Sequence, residues 1–239
     1  GEAYQIAYTA DGLLTSFTDP LGRTATMTYD ASGRLISDTD PAGGSQTLAR
    51  TPLPSGDGYT VARTTGENRT TTYRVETLST GNQERRVTGP DGATTTTLTQ
   101  TNGTITTTAP DGTVTTVVEG PDPRFGMQAP ITQSLKITSG GQTATQTTAV
   151  SAALSNPSNP LSLTTLTTTA TVNGRGSSSV YTAATRRTAL TSAGGRQSYQ
   201  VQDAKGRVIE AGVTGLDPVF FSYDARGRLT TVRQGTGTE

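Results

Sequence analysis

The chain has no cysteine, no histidine and no tryptophan. Without cysteine it has neither disulfides nor thiolate ligands, although the compartment stays open because many exported bacterial proteins also lack cysteine. Without histidine it can assemble neither a Ser-His-Asp triad nor a histidine-bearing metal site. Large apolar side chains are scarce as well. Hydrophobic residues make up 31% of the 239 and aromatics 5%, which is thin for two layers packed face to face. Net charge is zero and the sequence pI is 6.6, so the electrostatic footprint of a nucleic-acid binder is missing. There is no basic amphipathic stretch to suit a membrane surface. Apolar runs such as "TVTTVVEG" and "DPVFFSY" are far too short to insert into a bilayer. The opening "GEAYQIAYTADG" lacks the basic flank and apolar centre of a signal peptide.

What is present is threonine, roughly a fifth of the chain. It suits a pleated surface open to water. Turn signals punctuate the strands: Asp11-Gly12, "DPLG" (Asp19 to Gly22), "DASG" (Asp30 to Gly33) and "DPAG" (Asp40 to Gly43). Their aspartates lie 8, 11 and 10 residues apart, leaving room for strands of about five to seven residues. The two-turn unit recurs, since Tyr8 to Tyr29 and Asp19 to Asp40 are each 21 residues. Near the other end "QDAKGRV" (Gln202 to Val208) and "YDARGRL" (Tyr223 to Leu229) repeat at 21. Drifted turns, "GPDG" at Gly89 and "APDG" at Ala109, lie 20 apart between them.

The turn chemistry has a physical basis. An aspartate that opens a turn accepts hydrogen bonds from backbone N–H groups ahead of it, and glycine supplies the positive φ of a tight reversal. "TQTNGTIT" around Asn102-Gly103 is a hairpin signal of the strongest short-range kind. Between turns the period is two: Ala25, Met27 and Tyr29 share one face, and Thr24, Thr26 and Thr28 the other. The pattern predicts an all-β chain of consecutive antiparallel hairpins. Tracts such as "GATTTTLTQTNGTITTTAPDG" are wettable on both faces, which suits the wall of a large hollow; a β-solenoid would accept the same composition.

"YDASGRLISDTDPAGG" (Tyr29 to Gly44) and "YDARGRLTTV" (Tyr223 to Val232) resemble YD repeats, the units of the Rhs family, also found in teneurins and insecticidal toxin-complex subunits. "YTADGLLTSFTDPLGRT" (Tyr8 to Thr24) and "DAKGRVIEAG" (Asp203 to Gly212) are weaker copies. The resemblance implies a long ribbon that spirals into a hollow β-shell, enclosing a toxic C-terminal region in bacterial members and serving extracellular adhesion in teneurins. It implies that residues 1–239 are one segment of shell wall, with clear repeats at 1–45 and 196–235 and degenerate repeats or an insertion over 46–195. No stretch matches the shell-closing core of that family, so self-cleavage is assigned to no position. Both ends cut a repeat, "RQGTGTE" included, so the chain is expected to be a fragment of a longer one.

The repeat positions singled out are Tyr8, Asp11, Gly12, Asp19, Gly22, Tyr29, Asp30, Gly33, Arg34, Asp40, Gly43, Asp203, Gly206, Arg207, Tyr223, Asp224, Gly227 and Arg228. Recurrence with the period gives them a structural role. The arginine after each turn glycine is expected to brace a turn aspartate or carbonyls on the next rung, and Tyr8, Tyr29, Tyr199 and Tyr223 to act as cross-strand ribs or to stack on sugars. No catalytic residue, metal or cofactor is assigned. A glycosidase pair needs two facing carboxylates, and the aspartates already have turn roles. "NRT" at Asn68 and "NGT" at Asn102 match glycosylation sequons, which a threonine-rich chain also produces by chance. The expected protein is non-enzymatic and secreted or on a bacterial cell surface. Its expected partners are other repeats of the same chain and an encapsulated C-terminal polypeptide or a surface glycan, with no nucleic acid and no membrane insertion. Its rivals are an extracellular adhesin or carbohydrate-binding module and, third, a β-helical enzyme acting on polysaccharide. "EGPDPRFGMQAPITQ" (Glu119 to Gln133) and "SAALSNPSNPLSLTT" (Ser151 to Thr165) are read as drifted repeats, or else as a loop or plug.

Overall fold

A computed structural model describes residues 3–235; Thr236 to Glu239, the tail of "RQGTGTE", lie outside the described residues. Every regular element in it is a strand, and no helix long and apolar enough to cross a membrane is present among the described residues. The chain divides into two compact units, one ending at Val114 and the other beginning at Thr115.

The first unit starts with β1 (Gln5–Tyr8), β2 (Leu14–Thr18), β3 (Thr24–Tyr29), β4 (Leu35–Thr39) and β5 (Ser45–Pro52). It continues with β6 (Gly58–Thr65), β7 (Thr70–Thr77), β8 (Gln83–Thr88), β9 (Thr94–Thr99) and β10 (Thr104–Thr108). Each strand pairs antiparallel with the next in sequence. The second unit holds all but the first residue of β11 (Val114–Asp122), then β12 (Gly126–Ser139), β13 (Gln142–Leu154), β14 (Leu163–Val172) and β15 (Arg175–Thr182). After them come β16 (Arg187–Thr191), β17 (Gln197–Gln202), β18 (Val208–Val213), β19 (Val219–Tyr223) and β20 (Leu229–Gln234). From β12 onward the neighbour-to-neighbour antiparallel pairing is the same.

Among the described residues no hydrophobic side chain is buried. The period-two pattern of β3 is nevertheless real, with Ala25, Met27 and Tyr29 half-buried and Thr24, Thr26 and Thr28 exposed. The threonine face is laced across strands by hydroxyl pairs, Thr18 with Thr24 at 2.8 Å and Thr26 with Thr39 at 2.6 Å, with Thr28 to Ser37 alongside. These cross-strand bonds are worth a few tenths of a kcal/mol to about 1 each. Threonine therefore solves two problems: its branched Cβ fits the pleat, and its hydroxyl satisfies a neighbour instead of needing a core.

The central segments are strand and turn, not a plug. β11 and β12 run through residues 119–133 apart from Pro123, Arg124 and Phe125, and the break in 151–165 is the eight-residue loop 155–162. The Asn102-Gly103 hairpin forms, but not with a two-residue turn. Gly103 alone has positive φ there, and Gln100 closes the turn by donating to the Thr104 carbonyl and accepting from Gly103 N–H. The two-residue turns are at Gly140-Gly141 and Asn173-Gly174, where both residues have positive φ.

Gly58 shows how tightly adjacent strands approach. A Cβ there would run into the Val75 carbonyl oxygen and come within 2.8 Å of the Glu76 Cα. Because backbone cannot move aside as a side chain can, Gly58→Ala is expected to destabilise the first unit by about 1–3 kcal/mol. The check is the urea midpoint of the variant.

Candidate functional site

The most ordered chemistry in the molecule is at its turns. In each aspartate-opened turn, the opener's N–H donates to the carbonyl four residues on, and its own carbonyl accepts from the glycine N–H three residues on. Asp19, Asp30, Asp40, Asp203 and Asp224 all do this, with Gly22, Gly33, Gly43, Gly206 and Gly227 as partners. Those glycines sit at φ between 75° and 89°, a region that side chains with a Cβ avoid. The carboxylate then closes the loop from inside. Oδ1 of Asp224 accepts from the N–H of Arg226 and of Arg228, each at 2.9 Å. The same two bonds are made by Asp19, Asp30, Asp40 and Asp203.

The arginine after the glycine turns back onto its own turn. Arg228 Nε reaches Asp224 Oδ2 at 2.7 Å, Arg207 reaches Asp203 at 2.7 Å, and Arg34 lies 3.7 Å from Asp30. Arg23, which the sequence also places after a turn glycine, pairs with Asp19 at 2.6 Å. Arg207 braces its turn aspartate, and in place of a carbonyl on the next rung its guanidinium lies over the Tyr223 ring of the next repeat, 4.7 Å from the centroid.

Asp11 occupies a different place from the other aspartates. Thr9 opens that turn, with its N–H donating to Leu13 and its Oγ1 accepting from Leu13 N–H, and Asp11 is the third residue. Counted from the true openers Thr9, Asp19, Asp30 and Asp40, the spacing becomes 10, 11 and 10. Asp91 and Asp111 are third residues too, behind Gly89 and Ala109; each accepts the N–H two residues on. A threonine or serine hydroxyl can replace the opening carboxylate, as at Thr9 and Ser192. The Asp-x-x-Gly pattern hides that equivalence.

The tyrosines explain why two turns make one unit. Tyr29 O–H donates to the Leu14 carbonyl at 2.8 Å, and Tyr223 O–H to the Val208 carbonyl at 2.8 Å. Each strap runs back 15 residues to the strand before. Register slips by one residue at Tyr8, Tyr29, Gln202 and Tyr223, but not beside the Asp19 and Asp40 turns. Such bulges add local twist, so bulged and regular turns alternate with the repeat. Tyr8 starts the series and is exposed. Tyr199 bonds Glu210 at 2.6 Å, and that bond, with desolvation, raises its phenol above the ordinary range. Its ring lies across Gly212, where any Cβ would meet it, and Arg187 covers it at 4.2 Å.

The backbone N–H of Arg228 is the strongest influence holding the Asp224 carboxyl below its ordinary value of 3.8, and Arg23, Arg34 and Arg207 N–H groups act likewise on Asp19, Asp30 and Asp203. At Asp122, the one buried polar residue among those described, burial works in the raising direction and is outweighed by bonds from Arg124 and Phe125. These carboxylates are committed to turns.

Together these features define a ribbon of β-hairpin repeats with tyrosine straps. The chain belongs to the Teneurin YD-shell family, which matches it over residues 2–239. No curated protein matches it. Among solved structures, the crystal structure of TcdB2-TccC3-Cdc42 aligns with 96% of this chain and 17% of its own at 9% identity and TM-score 0.27. A Photorhabdus luminescens Tc holotoxin pore with a substituted TccC3 aligns with 98% of this chain and 22% of its own, at 12% identity and TM-score 0.16. A mutant TCP10 domain of Danio rerio CPAP aligns with 87% of this chain and 98% of its own, at 13% identity and TM-score 0.17. The chain thus spans about a fifth of the two Tc proteins, and likenesses of this size say nothing of what it binds.

Two outcomes follow from the turn and the strap. Tyr223→Phe is expected to cost about 1 kcal/mol, read as a lower thermal midpoint. Carboxylates held below their ordinary value stabilise the fold fully above about pH 4, and that stabilisation is lost as pH falls through their folded values. The thermal midpoint should therefore drop below pH 4. Asp203→Asn, which keeps an acceptor but has no charge to lose, should make the drop shallower.

Proposed function

We propose that this chain is a non-enzymatic stretch of wall in a YD-repeat shell, and that the shell encloses a C-terminal polypeptide of a secreted or cell-surface bacterial protein. The observation that carries the reading is a ladder of successive hairpins held by repeating turns and straps with no buried apolar core among the described residues. A sheet wet on both faces has the construction of a partition, separating one aqueous space from another, and membership of the YD-shell family supports that use.

Both units share one turn grammar, which supports treating residues 1–239 as a single length of wall with other repeats of the same chain as first partners. The repeat aspartates Asp19, Asp30, Asp40, Asp203 and Asp224 are bonded into turns, which supports a structural role for them. A sugar-binding adhesin is less well supported, because Arg187 and Arg207 already lie over the rings of Tyr199 and Tyr223.

Limited proteolysis of the longer protein containing residues 1–239 tests the proposal. Enclosure predicts that its C-terminal region resists protease until the repeats are unfolded by denaturant. Cleavage of that region at the same rate before and after unfolding would refute enclosure.

A further inference from the structure

A cleft of about 890 Å³ opens in the first unit between the Asp40–Gly44 turn and the turn that follows β6. Its titratable lining groups are Arg63, Arg69 and Glu67, and Ser45, Thr65 and Thr71 add hydroxyls. Arg63 is in the middle of β6, paired in register with Leu48 on β5 and Thr71 on β7, so its guanidinium base is fixed by two ladders. The outer wall is fixed as well, because Gly66 N–H donates to the Ser45 carbonyl at 2.8 Å.

Seven arginines elsewhere pair with a carboxylate. Arg63 and Arg69 pair with none among the described residues; Arg63 Nε is shielded without a hydrogen-bond partner, as Arg207 Nη1 is, so an incoming group meets the Nη end of the Arg63 guanidinium. A guanidinium presents its donors as a planar fork, and the matching partner is a carboxylate taking two parallel N–H bonds. Glu67 at the rim leaves one net positive charge in the cleft. The lining contains no aromatic ring on which a sugar face could stack, which favours a peptide carboxylate over an acidic sugar.

We propose that this cleft binds an aspartate or glutamate side chain of a second polypeptide segment, with Arg63 as the fork that grips it and Arg69 as a supporting charge. The inference rests on the wall reading, since it names what one patch of wall holds. It is nonetheless tested on the 239-residue chain alone, so it can fail while enclosure stands, and enclosure can fail by proteolysis while the cleft still binds.

The experiment follows the Arg63 Nε–H resonance by NMR as N-acetylglutamate N-methylamide is added at pH 7. A saturable shift is expected with this probe and none with its glutamine counterpart. Arg63→Lys keeps the charge but loses the fork, and Arg69→Gln keeps the fork but loses the second charge. Each should weaken binding about tenfold or more, while circular dichroism reports an unchanged sheet. Tighter binding of a methyl galacturonide would overturn the peptide assignment, and equal or tighter binding of inorganic phosphate would overturn carboxylate selectivity. No saturable shift with any probe would overturn the site itself. If Arg63→Lys disturbs the sheet, the Arg69→Gln titration decides the matter.

Discussion

Backbone pairing between strands adjacent in sequence is the constraint on which everything else here depends. In an ordinary domain a packed interior holds the sheet in place, and the ladder follows. Here no apolar side chain among the described residues is buried, so register must be fixed locally, hairpin by hairpin. A one-residue slip would exchange the two faces of a strand, and no buried core is available to forbid it. The turns supply that prohibition: at the Asp19, Asp30, Asp40, Asp203 and Asp224 turns a carboxylate held between two N–H groups and a glycine at positive φ fix the register of the hairpin. The acid sensitivity of the turn carboxylates and the intolerance at Gly58 have this common origin.

The side-chain contacts form a second level. Arginine and tyrosine take over work that leucine and phenylalanine do in a core. Arg50 lies over Tyr59, Arg187 over Tyr199 and Arg207 over Tyr223, with ring distances of 4.1, 4.2 and 4.7 Å. A cation over a ring keeps its apolar contact and its hydration at once. That combination suits a wall with water on both sides.

Much of this was legible in the sequence, and the limits of legibility are instructive. Period 21, the hairpin order and the two faces of β3 could all be read, because turn chemistry and alternation are local. The role of Arg63 could not. Its significance comes from lacking a partner, and a missing partner is a property of three strands and two turns brought together. The Thr9 turn was misread because Asp11 is next to its glycine, whereas the hydrogen-bond pattern is set by the residue three before it. Asn102-Gly103 was legible as a hairpin but not in its turn type, because the flanking Gln100 and Thr104 close a turn longer than two residues. The tyrosine straps were legible as ribs but not as hydrogen bonds, because the 15-residue reach depends on register.

The two backbone straps point one way, whereas Tyr199 reaches forward to Glu210. Tyr29 and Tyr223 each reach a carbonyl 15 residues nearer the N-terminus, never one further along. The hairpins that Tyr29 and Tyr223 close are therefore fastened to material that has already left the ribosome by the time those tyrosines emerge. The ribbon has a direction of construction written into its side chains: a newly made hairpin needs nothing downstream to complete its strap, and an interrupted chain would carry finished rungs up to the break.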